Sequence, residues 1–141
     1  MTELKHLVET EIIAFHDFFV AWLTGKAEGQ ALDREMADRL APGFTIVAPS
    51  GAVMSRDELL SAFASFHGAK PNIRIKVRDV VIHHHLTGHV IASYTEWQRA
   101  GDSQNGRQST VVMTDRAPFR WLSVHESGLS PEMHPRGAFE F

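Results

Sequence analysis

The chain has 141 residues, 43% hydrophobic and 22% charged, a length and balance that suit one globular domain and exclude a disordered chain. A net charge of -3 without any basic block argues against nucleic acid as a main partner, because phosphate binding needs clustered Lys and Arg. With no cysteine, disulfides, thiolate catalysis and Cys-based zinc sites are excluded.

Between residues 4 and 23, Leu4, Val8, Ile12, Phe15, Phe19 and Trp22 recur at helical intervals. Leu7, Phe18 and Leu23 widen that stripe, while Glu3, Glu9, His16 and Asp17 carry much of the other face. Gly25 supplies a stop. The charges interrupt the apolar run and no small-residue cleavage site follows, so the segment reads as part of the fold and the chain as cytoplasmic. No stretch approaches the roughly 20 uninterrupted apolar residues of a membrane span, so no membrane partner is expected. A second helix is predicted over 30–40, from Leu32, Met36 and Leu40, ended by Pro42 and Gly43. Residues 44–47 read as a short strand, and Pro49-Ser50-Gly51 as a turn into Ala52-Val53.

Ser55 and Glu58 form the spacing of a capping box, flanked by Met54 and Leu59 at staple positions, and open a third helix that ends at Gly68. Asp57 and Glu58 then serve the helix dipole rather than catalysis. From Ile73 the period becomes two: Ile73, Ile75 and Val77 alternate with charged residues. After Asp79 the pattern resumes one residue out of phase, as Val80, Ile82 and Leu86, which is the mark of a β-bulge that bends and twists the strand. Further strands are predicted over 90–98, 107–116 and 119–126. The chain therefore reads as α+β, with three N-terminal helices packed in the concave face of a strongly bent antiparallel sheet. One domain is expected over 1–127, with an irregular tail over 128–141 whose Phe139 and Phe141 pack back onto the body or a partner subunit.

Three segments carry a family resemblance. They are Ala41-Pro42-Gly43-Phe44, the stretch from Gly51 through Ser55-Arg56-Asp57-Glu58-Leu59-Leu60, and Trp121-Leu122-Ser123-Val124-His125-Glu126-Ser127. In this order they resemble the nuclear transport factor 2-like superfamily, which includes SnoaL-like and ketosteroid-isomerase-like proteins and the calmodulin-dependent-kinase association domain. The resemblance implies a cone-shaped, cystatin-like roll, a homodimer through the outer sheet face, and an apolar pocket between sheet and helices. The expected pocket residues from the helices and first strands are Phe15, Phe19, Trp22, Phe44, Ile46, Met54, Leu59 and Phe63. Val112, Leu122 and Val124 are expected from the later strands, and Thr110, Val112 and Thr114 as a row suit the pocket wall.

Chemistry rests on few candidates. Nine histidines include His83-His84-His85; alternation puts His83 and His85 on one face and His84 with Val80, Ile82 and Leu86. A closed zinc site needs further ligands that the sequence does not place, so neither a metal nor a cofactor is expected. Glu126, sharing a face with Leu122 and Val124, would have its pKa raised by burial beside Trp22, Phe19 and Val112, as a general base requires. The plainer reading leaves it at the strand end in water or paired with Arg116. Tyr94 and Glu96 share a face with Ala92, whereas Ile91, Ser93, Thr95 and Trp97 share the other. Alternation leaves the inner face open, and the dimer surface is the favoured place for Tyr94 and Glu96.

Three functions follow. The first is a homodimeric module binding a small hydrophobic ligand. The second is an isomerase, dehydratase or cyclase moving protons on a hydrophobic carbonyl compound with Glu126, Tyr94, Glu96 and His84. The third is an assembly domain without ligand.

Overall fold

The computed structural model describes residues 2–134; Phe139 and Phe141 lie outside the described residues. Helix α1 (Thr2–Leu23) buries Val8, Ile12, Phe15, Phe18 and Trp22 as its stripe predicts, while Leu7 stays 43% exposed. His16 departs from the sequence reading. It is buried rather than solvent-facing, because the sheet wraps past the apolar stripe and covers that flank of the helix.

The second helix is shorter than expected. Helix α2 (Ala31–Glu35) passes into a 3-10 turn at Ala37–Arg39, and strand β1 (Leu40–Val47) begins where the helix was predicted to end. Pro42 and Gly43 do not merely stop a helix. They lie inside β1 at an irregularity between Leu40 and Thr45, where a missing N–H is tolerated. Arg56 holds this junction, donating to the backbone carbonyls of Leu40 and Ala37.

Strand β2 (Val53–Ser55) leads directly into α3 (Arg56–Ser65). The capping box is formed: Glu58 N–H donates to Ser55 Oγ at 3.2 Å, and Ser55 N–H donates to Glu58 Oε1 at 3.0 Å. The Glu58 carboxyl is held below its ordinary value by the backbone N–H and the side chain of Ser55. Leu59, Leu60 and Phe63 of α3 pack against the core, and Trp22 Nε1 donates to the Phe63 carbonyl at 2.6 Å, tying α1 to α3.

Strands β3 (Arg74–Leu86), β4 (His89–Ala100), β5 (Ser103–Thr114) and β6 (Trp121–Gly128) complete the sheet. Among the described residues its order is β2-β1-β6-β5-β4-β3. The sheet is mixed rather than antiparallel throughout, because β1 pairs with β6 in parallel. That pairing joins segments some 80 residues apart and leaves no local pattern to read.

The slip near residue 79 is present: the β3–β4 register shifts between Arg78 and Val81, and Asp79 has a φ of 58°. Thr95 Oγ1 donates to Asp79 Oδ2 and the Arg78 carbonyl, fixing the bulge. A second slip falls between Ile82 and His84 and undoes the expected alternation of the histidines. His84 pairs with Ile91 and His85 with Val90. No helix among the described residues is long and apolar enough to cross a membrane.

Candidate functional site

Register decides which face of β4 is inside. Val90, Ala92, Tyr94 and Glu96 point toward α1, and their partners on β5 are Met113, Val111, Ser109 and Arg107. From β6, Val124 and Glu126 stand opposite Val111 and Ser109. Tyr94 and Glu96 therefore lie inside, not on the outer surface the sequence reading favoured, and share that face with Ser109, Arg107 and Glu126.

A cavity of about 210 Å³ lies here between α3, β1 and the concave sheet, walled by Phe19, Leu23, Ile46, Met54, Leu59 and Phe63. Its polar side is Glu96, Gln98, Arg107 and Glu126. A deeper recess of about 40 Å³ shares Phe19, Ile46, Leu59 and both glutamates, and adds Phe15, His16, Phe44, Tyr94, Trp121 and Val124. A wider hollow of about 490 Å³ lies beyond Gln98, between the segment of Lys70 and Asn72 and the β4–β5 turn with Ser103 and Asn105. The titratable groups converge in the smaller space, not in the larger hollow.

Three expected pocket residues line neither the cavity nor the recess. Trp22 is turned to Phe63 and stacks on His67 at 4.1 Å between ring centroids. Val112 pairs with Ile91 and Ser123 on the outer face, so Val111 takes the inner position and the row Thr110, Val112, Thr114 does not wall the inner cavity. Leu122 sits at the β5–β6 irregularity between Val112 and Met113, which turns Trp121 inward instead. His84 is exposed on the outer side and joins no cavity. His83 Nε2 lies 2.7 Å from Ser93 Oγ, and His85 Nε2 lies 3.1 Å from Asp115 Oδ2. Among the described residues, no three His, Cys, Asp or Glu side chains are grouped as a metal ion needs.

Besides the neutral Gln98, the sequence reading missed two titratable site residues. His16 Nδ1 lies 2.8 Å from the Ile12 carbonyl, and its Nε2 lies 3.1 Å from Glu96 Oε1. Burial would lower the His16 pKa, but the charge of Glu96 and the bond to it outweigh burial and raise it. Burial would likewise raise Glu96, yet His16, Arg107 and a bond from Gln98 to Glu96 Oε2 lower it to about 2. Glu96 is thus held ionised with both oxygens engaged. Its position next to His16 in space, 80 residues apart in sequence, carries no motif.

Arg107 is the other. It reaches Glu126 through Nη1, at 3.4 Å to Oε1 and 3.5 Å to Oε2, so the partner of Glu126 is Arg107 and not Arg116, which instead pairs with Asp115. Burial raises the Glu126 pKa, only partly opposed by Arg107, and the nearby charge of Glu96 adds to the rise. Burial and Glu96 push the Tyr94 phenol well above its ordinary value, so it is a neutral donor at all ordinary pH. The site combines a fixed anion, a protonatable carboxyl, a guanidinium and a phenol around an apolar hollow.

Comparison with known proteins follows this geometry. A family model described as sucrose-6-phosphate phosphohydrolase C-terminal matches residues 8–130. The chain belongs to that family. Sucrose-phosphatase 2 of Nicotiana tabacum is 25% identical over 128 residues, 85% of this chain and 30% of that protein. The chain thus spans under a third of the length of the curated relative it matches.

Among solved structures, a nuclear transport factor 2-like protein of unknown function from Pseudomonas aeruginosa aligns with a TM-score of 0.82 at 28% identity, covering 87% of this chain and 98% of that one. A protein from Thiobacillus denitrificans described as a calcium/calmodulin-dependent protein kinase type II association domain aligns with a TM-score of 0.66 at 24% identity, covering 86% and 94%. Others have cystatin-like and ketosteroid isomerase-like descriptions. The resemblance read from the three sequence segments is borne out, and the family has the nuclear transport factor 2-like fold here.

Proposed function

We propose that the chain is a small-molecule-binding domain whose ligand occupies the cavity beneath α3. The observation that carries this reading is an apolar space with one polar wall, on which Glu96, Gln98, Arg107 and Glu126 converge. At about 210 Å³, with an apolar wall and a few convergent polar groups, the cavity suits a small ligand with an apolar body. A phosphate dianion would face two carboxylates against one guanidinium. The phosphatase activity named for the relatives therefore does not rest on this cavity.

A thermal-shift series of small apolar compounds with one polar group tests the reading. A ligand at 100 times its Kd adds about 2.7 kcal/mol to stability, a clear rise in Tm. Ala48→Trp, which fills the cavity, should abolish the response. A full series with no shift, or shifts that survive the filled cavity, refutes it.

Proton transfer is the second reading, favoured by one observation: Glu126 is a largely covered carboxyl with raised pKa, on the same recess as the neutral Tyr94 phenol. In that case Glu126 moves the proton and Tyr94 polarises a carbonyl, while Glu96, with both oxygens engaged, positions rather than reacts. Isotope exchange at the α-carbon of a bound ketone, lost in Glu126→Gln, checks it. We also propose pairing of two copies through the outer sheet face, where Ile91 and Val112 are cross-strand neighbours left half-buried. Sedimentation showing a dimer that Val112→Glu splits supports this, and a wild-type monomer refutes it.

A further inference from the structure

Arg107 is engaged on one side only. Its contacts within the described residues run through Nη1 to Glu126, at the long end of hydrogen-bond range, and its buried Nε has no partner. A buried donor without an acceptor is costly, more so when charged. A guanidinium edge with free N–H groups matches a carboxylate, which takes two parallel N–H···O bonds. The neighbouring anion cannot serve: Glu96 gives one oxygen to His16 and the other to Gln98.

We propose that the cavity takes a small monocarboxylic acid with an apolar body, its carboxylate on Arg107 and joined to Glu126 through one shared proton. This rests on the cavity being a binding site and names its ligand class. The apolar body lies against Phe19, Leu59 and Phe63.

Charge accounting explains the proton. Glu126 faces Arg107 from β5, Glu96 and Tyr94 from β4 and His16 from α1, whereas α3 and β1 offer it only Leu59, Phe63 and Ile46. His16 and Glu96 compensate each other, as do Arg107 and Glu126. An arriving carboxylate adds one negative charge that nothing in the cavity balances. One proton from solvent, taken up by the two carboxyl groups together, balances it, because like charges this close do not both ionise. Burial of Glu126 beside Glu96 already favours that proton. The net event is site plus RCOO⁻ plus H⁺ giving a neutral complex.

The experiment compares phenylacetate with 2-phenylethanol and phenylacetamide, similar in size, by titration calorimetry at pH 7 in two buffers of different ionisation enthalpy. Phenylacetate should bind at least tenfold tighter than either neutral analogue and take up close to one proton. Glu126→Gln should still bind it but without proton uptake, and Arg107→Met should erase the preference for the acid. Neutral analogues binding as tightly as the acid, or acid binding without proton uptake in the wild type, overturns the inference while leaving the cavity a binding site. Failure of all three compounds, together with a silent thermal-shift series, overturns both. The wild-type proton count needs no variant, so a poorly folding Arg107→Met does not blunt the test.

Discussion

Replacing His16 with Leu removes the main partner of Glu96 and keeps α1 helical. Both groups are buried, with side chains 4% and 6% exposed, so solvent does not screen the loss. Holding a carboxyl of ordinary pKa 4.5 at about 2 corresponds to about 3 kcal/mol in favour of the ionised, folded form. His16 shares that effect with Arg107 and Gln98, and leaving one charge of a buried pair without its partner costs about 3–5 kcal/mol. The pH dependence separates this from a packing defect. Because the Glu96 pKa is depressed in the folded state, its contribution is present above 4.5 and is lost as pH falls toward 2. His16, whose pKa is raised, contributes fully below 6.5 and loses its contribution as pH climbs through its higher folded value. In His16→Leu, burial raises Glu96, which protonates in mild acid and no longer needs a counter-charge. The cost of the substitution should therefore be about 3 kcal/mol or more at pH 7 and shrink markedly by pH 3.5. Urea unfolding followed by tryptophan fluorescence measures it at both values. A loss under about 1 kcal/mol at pH 7, or one equal at both pH values, refutes the argument.

Gly106→Ala should destabilise by about 1–3 kcal/mol in urea unfolding, the usual cost of overpacking, because its Cβ would stand 2.4 Å from the Trp97 ring; Trp97→Leu in the same chain should restore most of it. Ser55→Ala breaks the capping box and should cost about 1 kcal/mol of stability, with faster amide exchange confined to α3 if the cap acts locally.

Local chemistry left a clear record in the sequence. The stripe from Val8 to Trp22, the capping box at Ser55 and the slip at Asp79 each depend on residues within a few positions of one another, where propensity and period act directly. The second slip, at His83, was hidden because three identical side chains carry no alternation to break. His16 was misread for a related reason: a polar residue on a helix flank looks solvent-facing until another element covers it.

Helix stripes, caps and strand phase are short-range properties, so the main elements and the bend in β3 were legible from neighbouring residues, and three short segments carried the resemblance to the superfamily. Long-range packing chose which face of β4 looks inward, joined β1 to β6 in parallel, and brought His16, Glu96, Arg107 and Glu126 together from four separate elements. Alternation labels the two faces of a strand but cannot say which one a helix will cover; that choice is made by burial across the whole sheet, and the site's chemistry follows from it.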